Sequence, residues 1–415
     1  MKRRHFLLLG GAGVAAAAAW HKWPEQGFFN ECRVNLPPDI AAHDLIRAAW
    51  SGIDAQQVWD CHVHLVGVGD RDSGAWTSPK LDSLWHPIQR LQKLFYLNAG
   101  CVHEAPGRLD QSYVERLHNL VDGMRPGAKL MLLAFDGNMR SDGTPDWENS
   151  SFYTPNTYAR DMARQHPTYF EWIASIHPYR ADAISRLAQA IQDGARAVKW
   201  LPNAMNIDPG SPRCDAFYDL MAKHDLPLLS HAGKERAVSG SEAQDFGNPL
   251  KVRRALDRGV RVIIAHCASL GEDRDLDQGA QGPMAQSFDL FIRMMREPRY
   301  EGRLFGDISA LTQFDRAAYL KRILGMPEWH HRLLNGTDYP LPGILPIYSA
   351  RTFVDLGLLD AAAVPVLNNI QQHNPLLFDF VLKRSLKLNG VGLPARIFET
   401  RSFFERTRHA LSPAQ

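Results

Sequence analysis

The 415-residue chain is poor in cysteine and nearly neutral, and each scarcity closes off a class of protein. Its five cysteines, Cys32, Cys61, Cys101, Cys214 and Cys267, are an odd number with no Cys-x-x-Cys pair, so they outline neither a disulfide framework nor a zinc finger. With 47 Lys and Arg against 45 Asp and Glu the net charge is +2. The basic residues form no runs beyond the N-terminus, so the footprint of a nucleic-acid binder is missing. No stretch rich in Pro, Gly or Ser splits the chain. Ser-His-Asp, Gly-x-Ser-x-Gly and P-loop patterns do not occur. The Gly10-Gly11-Ala12-Gly13 cluster is no dinucleotide loop, because no strand precedes it.

What is present begins with a leader. Met1-Lys2-Arg3-Arg4-His5-Phe6-Leu7 sets an Arg-Arg pair before Phe-Leu and a weakly hydrophobic Gly/Ala run to Ala19, which resembles a bacterial twin-arginine signal. The run is shorter than the roughly 20 residues a bilayer-spanning helix needs. Small residues near Ala17 to Ala19 offer a cleavage site. The expectation is export to the periplasm through the twin-arginine machinery, with an uncleaved inner-membrane anchor as the alternative. Hydrophobic residues make up 45% of the chain, enough for one large α/β barrel or two ordinary domains.

A short helix is expected between Pro37 and Ile53. Beyond it, short apolar runs alternate with amphipathic stretches, the pattern of βα units around a parallel sheet. Candidate strands are Val58 to Leu65, Lys129 to Phe135, Tyr169 to His177, Ala195 to Leu201, Leu226 to His231, Val260 to Cys267, Leu304 to Ala310 and Leu333 to Asp338. Helices are expected over Ala181 to Gln192, Cys214 to His224, Pro249 to Arg258 and Arg316 to Leu324, several ending near Gly194, Gly259 or Gly325. Eight such units predict a single-domain TIM (β/α)8 barrel. The division is 1–20 signal, 37–57 N-terminal helix, 58–386 barrel and 387–415 C-terminal extension. Two long connections, 66–128 and 269–303, follow strands one and six and would form lids on the C-terminal face. The first holds Trp76, Trp85, His86, Tyr96 and His103, mostly packing for the lid itself.

Strand one carries the pattern that organises the rest. In Val58-Trp59-Asp60-Cys61-His62-Val63-His64-Leu65 a period of two puts Asp60, His62 and His64 on one face and Trp59, Cys61, Val63 and Leu65 on the other. Two imidazoles so spaced can bind one divalent cation, or they can be two hydrogen-bonded histidines in a polar layer. Downstream, charged or imidazole groups interrupt apolar strands at Lys199, His231, His266 and Asp338, where a lone buried charge demands a partner. One shared metal centre accounts for them together. Cys61 and Cys267, each beside a histidine, should point away from it.

His-x-His on strand one, Lys on four, His on five and six, and Asp on eight resembles the amidohydrolase superfamily. The closer likeness is to its amidohydrolase-2 branch, which includes aminocarboxymuconate-semialdehyde decarboxylase. Asn374-Pro375-Leu376-Leu377-Phe378 is similar to the Asn-containing helix closing many members. The resemblance, over roughly 58 to 386, implies His62, His64, His231 and Asp338 as ligands of a primary metal, with zinc the first choice. It leaves His266 as a second-metal ligand or a catalytic residue. Lys199 is either a carbamylated bridge between two cations or an unmodified lysine paired with substrate or an acid.

A bound metal would bring the pKa of water to about 7, and Asp338 would accept its proton while His266 orients the scissile group. The expected activity is hydrolysis of a C–N or C–O bond in an amide, lactone or ester of a small, possibly carboxylated substrate. A mononuclear decarboxylase or hydratase is the alternative, and an inactive metal-binding barrel the second. Arg180, Asn203, Lys234 and Tyr339, just beyond strand ends, are the expected substrate-binding residues, although such charges can equally be solvated on loops. A small-molecule substrate and a homodimer complete the expected partners.

Overall fold

The computed structural model describes residues 27–102, 107–238 and 243–405. The leader and His103 lie outside the described residues. Eight parallel strands form the barrel: β1 Trp59–His64, β2 Lys129–Leu133, β3 Phe170–Ile173, β4 Val198–Trp200, β5 Leu228–His231, β6 Val262–Ala265, β7 Leu304–Asp307 and β8 Leu333–Leu334. Strands β1 to β3 make one ladder and β4 to β8 another. Single bridges join them, Ala174 to Val198 between β3 and β4 and Val63 to Tyr339 between β1 and the end of β8, which closes the ring. Each expected strand is found, in order, within the expected range.

Helices follow the strands. The long β1 connection supplies α1 Pro87–Ala99 and α2 Leu109–Asp122. Then come α3 Asn156–Gln165, α4 Ala183–Gln192, α5 Asp215–Lys223, α6 Arg253–Asp257, α7 Ser287–Met295 and α8 Ala317–Leu324. The end of the barrel carries α9 Val364–His373 and α10 Pro375–Ser385, whose N-terminus is capped by the Asn374 side chain on the Leu377 N–H. Short antiparallel strands 76–77 and 152–153 pair across the lids that follow β1 and β2. No helix among the described residues is long and apolar enough to cross a membrane.

Four local features differ from the expectations or add to them. The helix expected between Pro37 and Ile53 is two pieces, Pro38–Ala41 and Asp44–Ala49, because the His43 ring accepts the Leu45 N–H and starts a new helix. Within the C-terminal extension, as far as it is described, Phe404 is fully buried among Trp59, Met131, Leu229 and Ile263 and plugs the bottom of the barrel. Cys32 and Cys101 form a disulfide across 69 residues of sequence, with Cα atoms 5.4 Å apart, a pairing that spacing alone does not reveal.

The fourth concerns β1. Asp60 is opposite Leu130, yet Val63 is opposite Leu132, so β1 holds one extra residue. Trp59 and Cys61 therefore face the barrel interior, and beyond the bulge His62 and His64 do as well. Asp60 turns outward and accepts the backbone N–H and hydroxyl of Thr337, tying β1 to the end of β8. Only Val63 and Leu65 join the outer core. Glycine at 336 permits this crowding, since a Cβ there would lie 2.5 Å from His62 Cβ.

Candidate metal centre

Inward positions alternate along the ladders, and that register builds the site in layers. Ala197, Leu229, Ile263 and Leu133 fill one level of the interior. Two residues on, Lys199 and His231 point the same way, paired opposite Leu229 and Ala265 respectively. His266 follows β6 in a run of three positive φ angles, His266, Cys267 and Ala268, near 50°. Such non-glycine conformations are costly and persist where surroundings over-determine them. Here the His266 N–H donates to Asp307 Oδ1 at 2.9 Å. The turn leaves Cys267 in the outer core.

The cluster is tight. Asp338 Oδ1 lies 3.0 Å from His64 Nε2 and 3.4 Å from His62 Nε2, and Oδ2 lies 3.9 Å from His266 Nε2. His62, His266 and Asp338 each offer a ligand atom within 4.8 Å of the others, all buried. Lys199 Nζ is 3.1 Å from His62 Nε2. The His231 ring stands 5.3 Å from that of His266, and its Nε2 is buried without a hydrogen bond, 3.4 Å from Glu235 Oε2.

The hydrogen bonds assign the tautomers. His62 Nδ1–H donates to Asp307 Oδ2 at 2.9 Å, and His266 Nδ1–H donates to the Ser309 carbonyl at 3.1 Å, so both Nε2 lone pairs face inward. Burial lowers the pKa of His62, of His231 well below its ordinary value, and of His266 to about 3, which keeps all three neutral. Burial works against the Asp338 carboxylate as well, yet its pKa lies well below the usual carboxylate range, with His64 hydrogen-bonded to Oδ1 at 3.0 Å. Lone pairs and a carboxylate thus converge on one buried point, where only a cation relieves their mutual repulsion. Lys199 is one such cation, although burial depresses its pKa too. The donor set, nitrogen and oxygen with an orphaned His231 Nε2, fits a divalent metal of the zinc type.

Asp307, on β7, stands outside the expected set. It is fully buried, fixes the His62 ring and the His266 backbone together, and completes the carboxylate–histidine pairing that metal sites use to orient a ligand. The signal was the same as for Asp338, a carboxylate ending the apolar run Leu304-Phe305-Gly306. Ser309, Glu235 and Arg316 also border the cluster.

Above it opens a cavity of about 590 Å³. His62, His64, Lys199, His231, His266 and Asp338 all line it. None of the four expected substrate-binding residues does, and each has a local reason. Arg180 is ion-paired with Asp182 at 2.9 Å, and Lys234 points to solvent. The fully buried Asn203 amide donates to Gly233 and Gln244 of the next loop, and Tyr339 is buried against Tyr113. Of the lid aromatics, Tyr96 lines the cavity, its hydroxyl donating to the Ala237 carbonyl at 2.8 Å.

Residues 59–365 match the family described as amidohydrolase. The chain belongs to the amidohydrolase family. That span runs from the start of β1 to α9, so it takes in the whole metal cluster. Several solved structures are similar to the chain at low identity. An uncharacterised TIM-barrel protein from Bordetella bronchiseptica is 13% identical over 79% of this chain and 99% of its own, with a TM-score of 0.47. A putative 2-pyrone-4,6-dicarboxylic acid hydrolase from Pseudomonas putida is 14% identical over 78% and 97%, with a TM-score of 0.41. A 5-carboxyvanillate decarboxylase from Sphingomonas paucimobilis is 11% identical over 82% and 98%, with a TM-score of 0.41. No curated protein matches this amidohydrolase.

Proposed function

We propose that the chain is a metal-dependent hydrolase that cleaves a C–N or C–O bond in an amide, lactone or ester. The observation that carries this reading is the convergence of Asp338 on His62, His64 and His266 at the floor of a cavity. His62, His64, His231 and Asp338 would hold a first divalent ion, with zinc the first choice, and His266 with a carbamylated Lys199 a second. Such an ion supplies Lewis acidity and a water of pKa near 7. Asp338, ionised and flanked by imidazoles, is placed to accept a proton at Oδ2 and return it to a leaving group. His266 Nε2, left as an acceptor because Nδ1–H donates to the Ser309 carbonyl, faces the same point.

The position of Lys199 separates this from a second reading. Its Nζ lies against His62 Nε2 with no carboxylate in ion-pair reach among the described residues. A lysine that stayed unmodified there would suit a single ion and a decarboxylase or hydratase. The test is metal content together with turnover of a panel of esters, lactones and amides, and assay of carbon dioxide. Two equivalents of metal and hydrolysis abolished by Asp338→Asn are expected. One equivalent with carbon dioxide released from a carboxylated substrate would overturn hydrolysis.

Export through the twin-arginine route is part of the same proposal. The Cys32–Cys101 disulfide supports it, since such bonds persist in oxidising compartments. Fractionation of cells producing the chain, with and without an Arg3→Lys, Arg4→Lys change, tests it. Periplasmic protein that vanishes with the change is expected, and unaltered periplasmic protein would overturn the route.

A further inference from the structure

We infer that the cavity takes an amphiphile, one apolar chain with an acidic headgroup, its chain lying along α1 and its headgroup on Arg316. This names the substrate class of the site proposed above and rests on that reading for the chemistry.

The walls are the first observation. Above the metal cluster the cavity walls are mostly apolar, formed by Leu65, Val66, Leu91, Phe95, Phe152 and Ile344, with polar side chains such as Thr77, Gln92 and Gln313 interspersed. Its volume of about 590 Å³ suits a ligand well beyond a few carbons. A sugar or a polycarboxylate placed against these walls would lose more hydration than the few polar side chains replace.

The rim is the second. Ile88 and Leu91 line the cavity yet stay 70% and 53% exposed, and neighbouring Leu84 and Trp85 are 74% and 91% exposed. The apolar lining therefore continues outward along α1 as an open path. The helix is held over the mouth at its far side, where Gln92 and Tyr96 donate to the carbonyls of Arg236 and Ala237. A chain entering along α1 stays in apolar contact from the surface to the cluster.

Arg316 is the third. It is only 7% exposed and lines the cavity. One terminal nitrogen donates to Ser269 Oγ at 2.8 Å, while its buried Nε has no partner. No carboxylate lies within 4.0 Å of the guanidinium among the described residues. The other rim cations are occupied, Lys93 by Asp82 at 2.6 Å and Arg236 by Asp315 at 3.6 Å. A buried guanidinium with free donors beside a cavity is a seat for an anion.

The test is calorimetric binding of butanoate, hexanoate, octanoate and decanoate to the zinc-loaded full chain. Each buried methylene is expected to tighten binding about fourfold. Arg316→Gln should weaken every member about tenfold or more while leaving that slope unchanged. Leu91→Glu, at an exposed position that tolerates charge, should flatten the slope. On the unaltered protein, decanoate should outbind decyltrimethylammonium. Equal affinity for butanoate and decanoate would overturn the apolar chain, and equal affinity for the two decyl compounds would overturn the acidic headgroup. Turnover is scored separately. A chain-length slope without hydrolysis of any ester, lactone or amide sinks the hydrolase and keeps the amphiphile, whereas hydrolysis with a flat series does the reverse.

Discussion

At the floor of the cavity His62, His64, Lys199, His266 and Asp338 are held by one another and by Asp307 and Ser309 at the end of β7, while at the roof α1 leaves Ile88, Leu91 and Leu94 at 70%, 53% and 49% exposure. The floor comes from barrel register: Lys199, His231 and Asp307 take the inward positions that follow Ala197, Leu229 and Phe305. The roof comes from the connections after β1 and β2, joined by a two-residue ladder, a disulfide and a few hydrogen bonds to the loop after β5. The floor is over-determined and the roof is lightly tied. A barrel can thus keep its chemistry fixed while its lids set which molecule reaches it.

The largest effect that separates the two regions should come from the disulfide. Cys101→Ser frees the N-terminal segment from the end of α1, and closing a loop of this length is worth about 2 to 4 kcal/mol. Denaturant unfolding should show that loss, while bound metal per chain stays the same. Loss of metal in the folded variant would mean that the roof helps to hold the floor. Next is Asp307→Ala, which acts on the floor alone. It releases the His62 ring and should lower metal affinity about 10- to 100-fold in chelator competition. Unchanged affinity would make Asp307 a packing residue only.

The same contrast decides what could be seen in the sequence. The floor was legible because a charge or an imidazole ending an apolar strand is conspicuous, and His62, His64, Lys199, His231, His266 and Asp338 all meet at one cavity. Asp307 carries the same signal but belongs to no motif in the resemblance. The bulge at Cys61 and His62 hides because its residues keep a period of two on either side, so Asp60 was placed on the wrong face. Arg316 reads as the first residue of a helix, and nothing local says that its guanidinium turns back toward the barrel mouth. Arg180, Asn203, Lys234 and Tyr339 lie just beyond strand ends, which is all that the sequence says of them. Loop paths beyond those ends depend on contacts far apart in sequence, such as the Arg180 pairing with Asp136 at 3.5 Å.

A pH titration probes the layer beside the floor. The fully buried His177 donates from Nε2 to the Met205 carbonyl at 2.7 Å and accepts the Tyr179 N–H on Nδ1 at 3.2 Å. A second ring proton would break the latter bond, and burial lowers the His177 pKa from 6.5 to about 3. Between these values the unfolded chain binds a proton that the folded chain refuses. Stability should therefore fall by about 1.4 kcal/mol per pH unit from this group as pH drops from 6.5 toward 3, and this contribution is flat above 6.5. His177→Gln should reduce the slope in that window. An unchanged slope would assign the acid sensitivity to other groups.

The smallest expected effect lies at the roof. Trp85 is 91% exposed, so its indole contributes little to the folded state of a single chain. Trp85→Ser should shift stability by no more than about 0.5 kcal/mol and leave metal content and the thermal midpoint unaltered at any protein concentration. The homodimer expected from the sequence gives the contrary outcome. If a second copy covers this patch, association stabilises the folded state, the midpoint rises with concentration, and the serine variant abolishes that rise. A concentration-dependent midpoint in the parent chain, absent in the variant, would turn the α1 rim from a substrate entrance into an interface and would shut the path by which an apolar chain reaches Asp338.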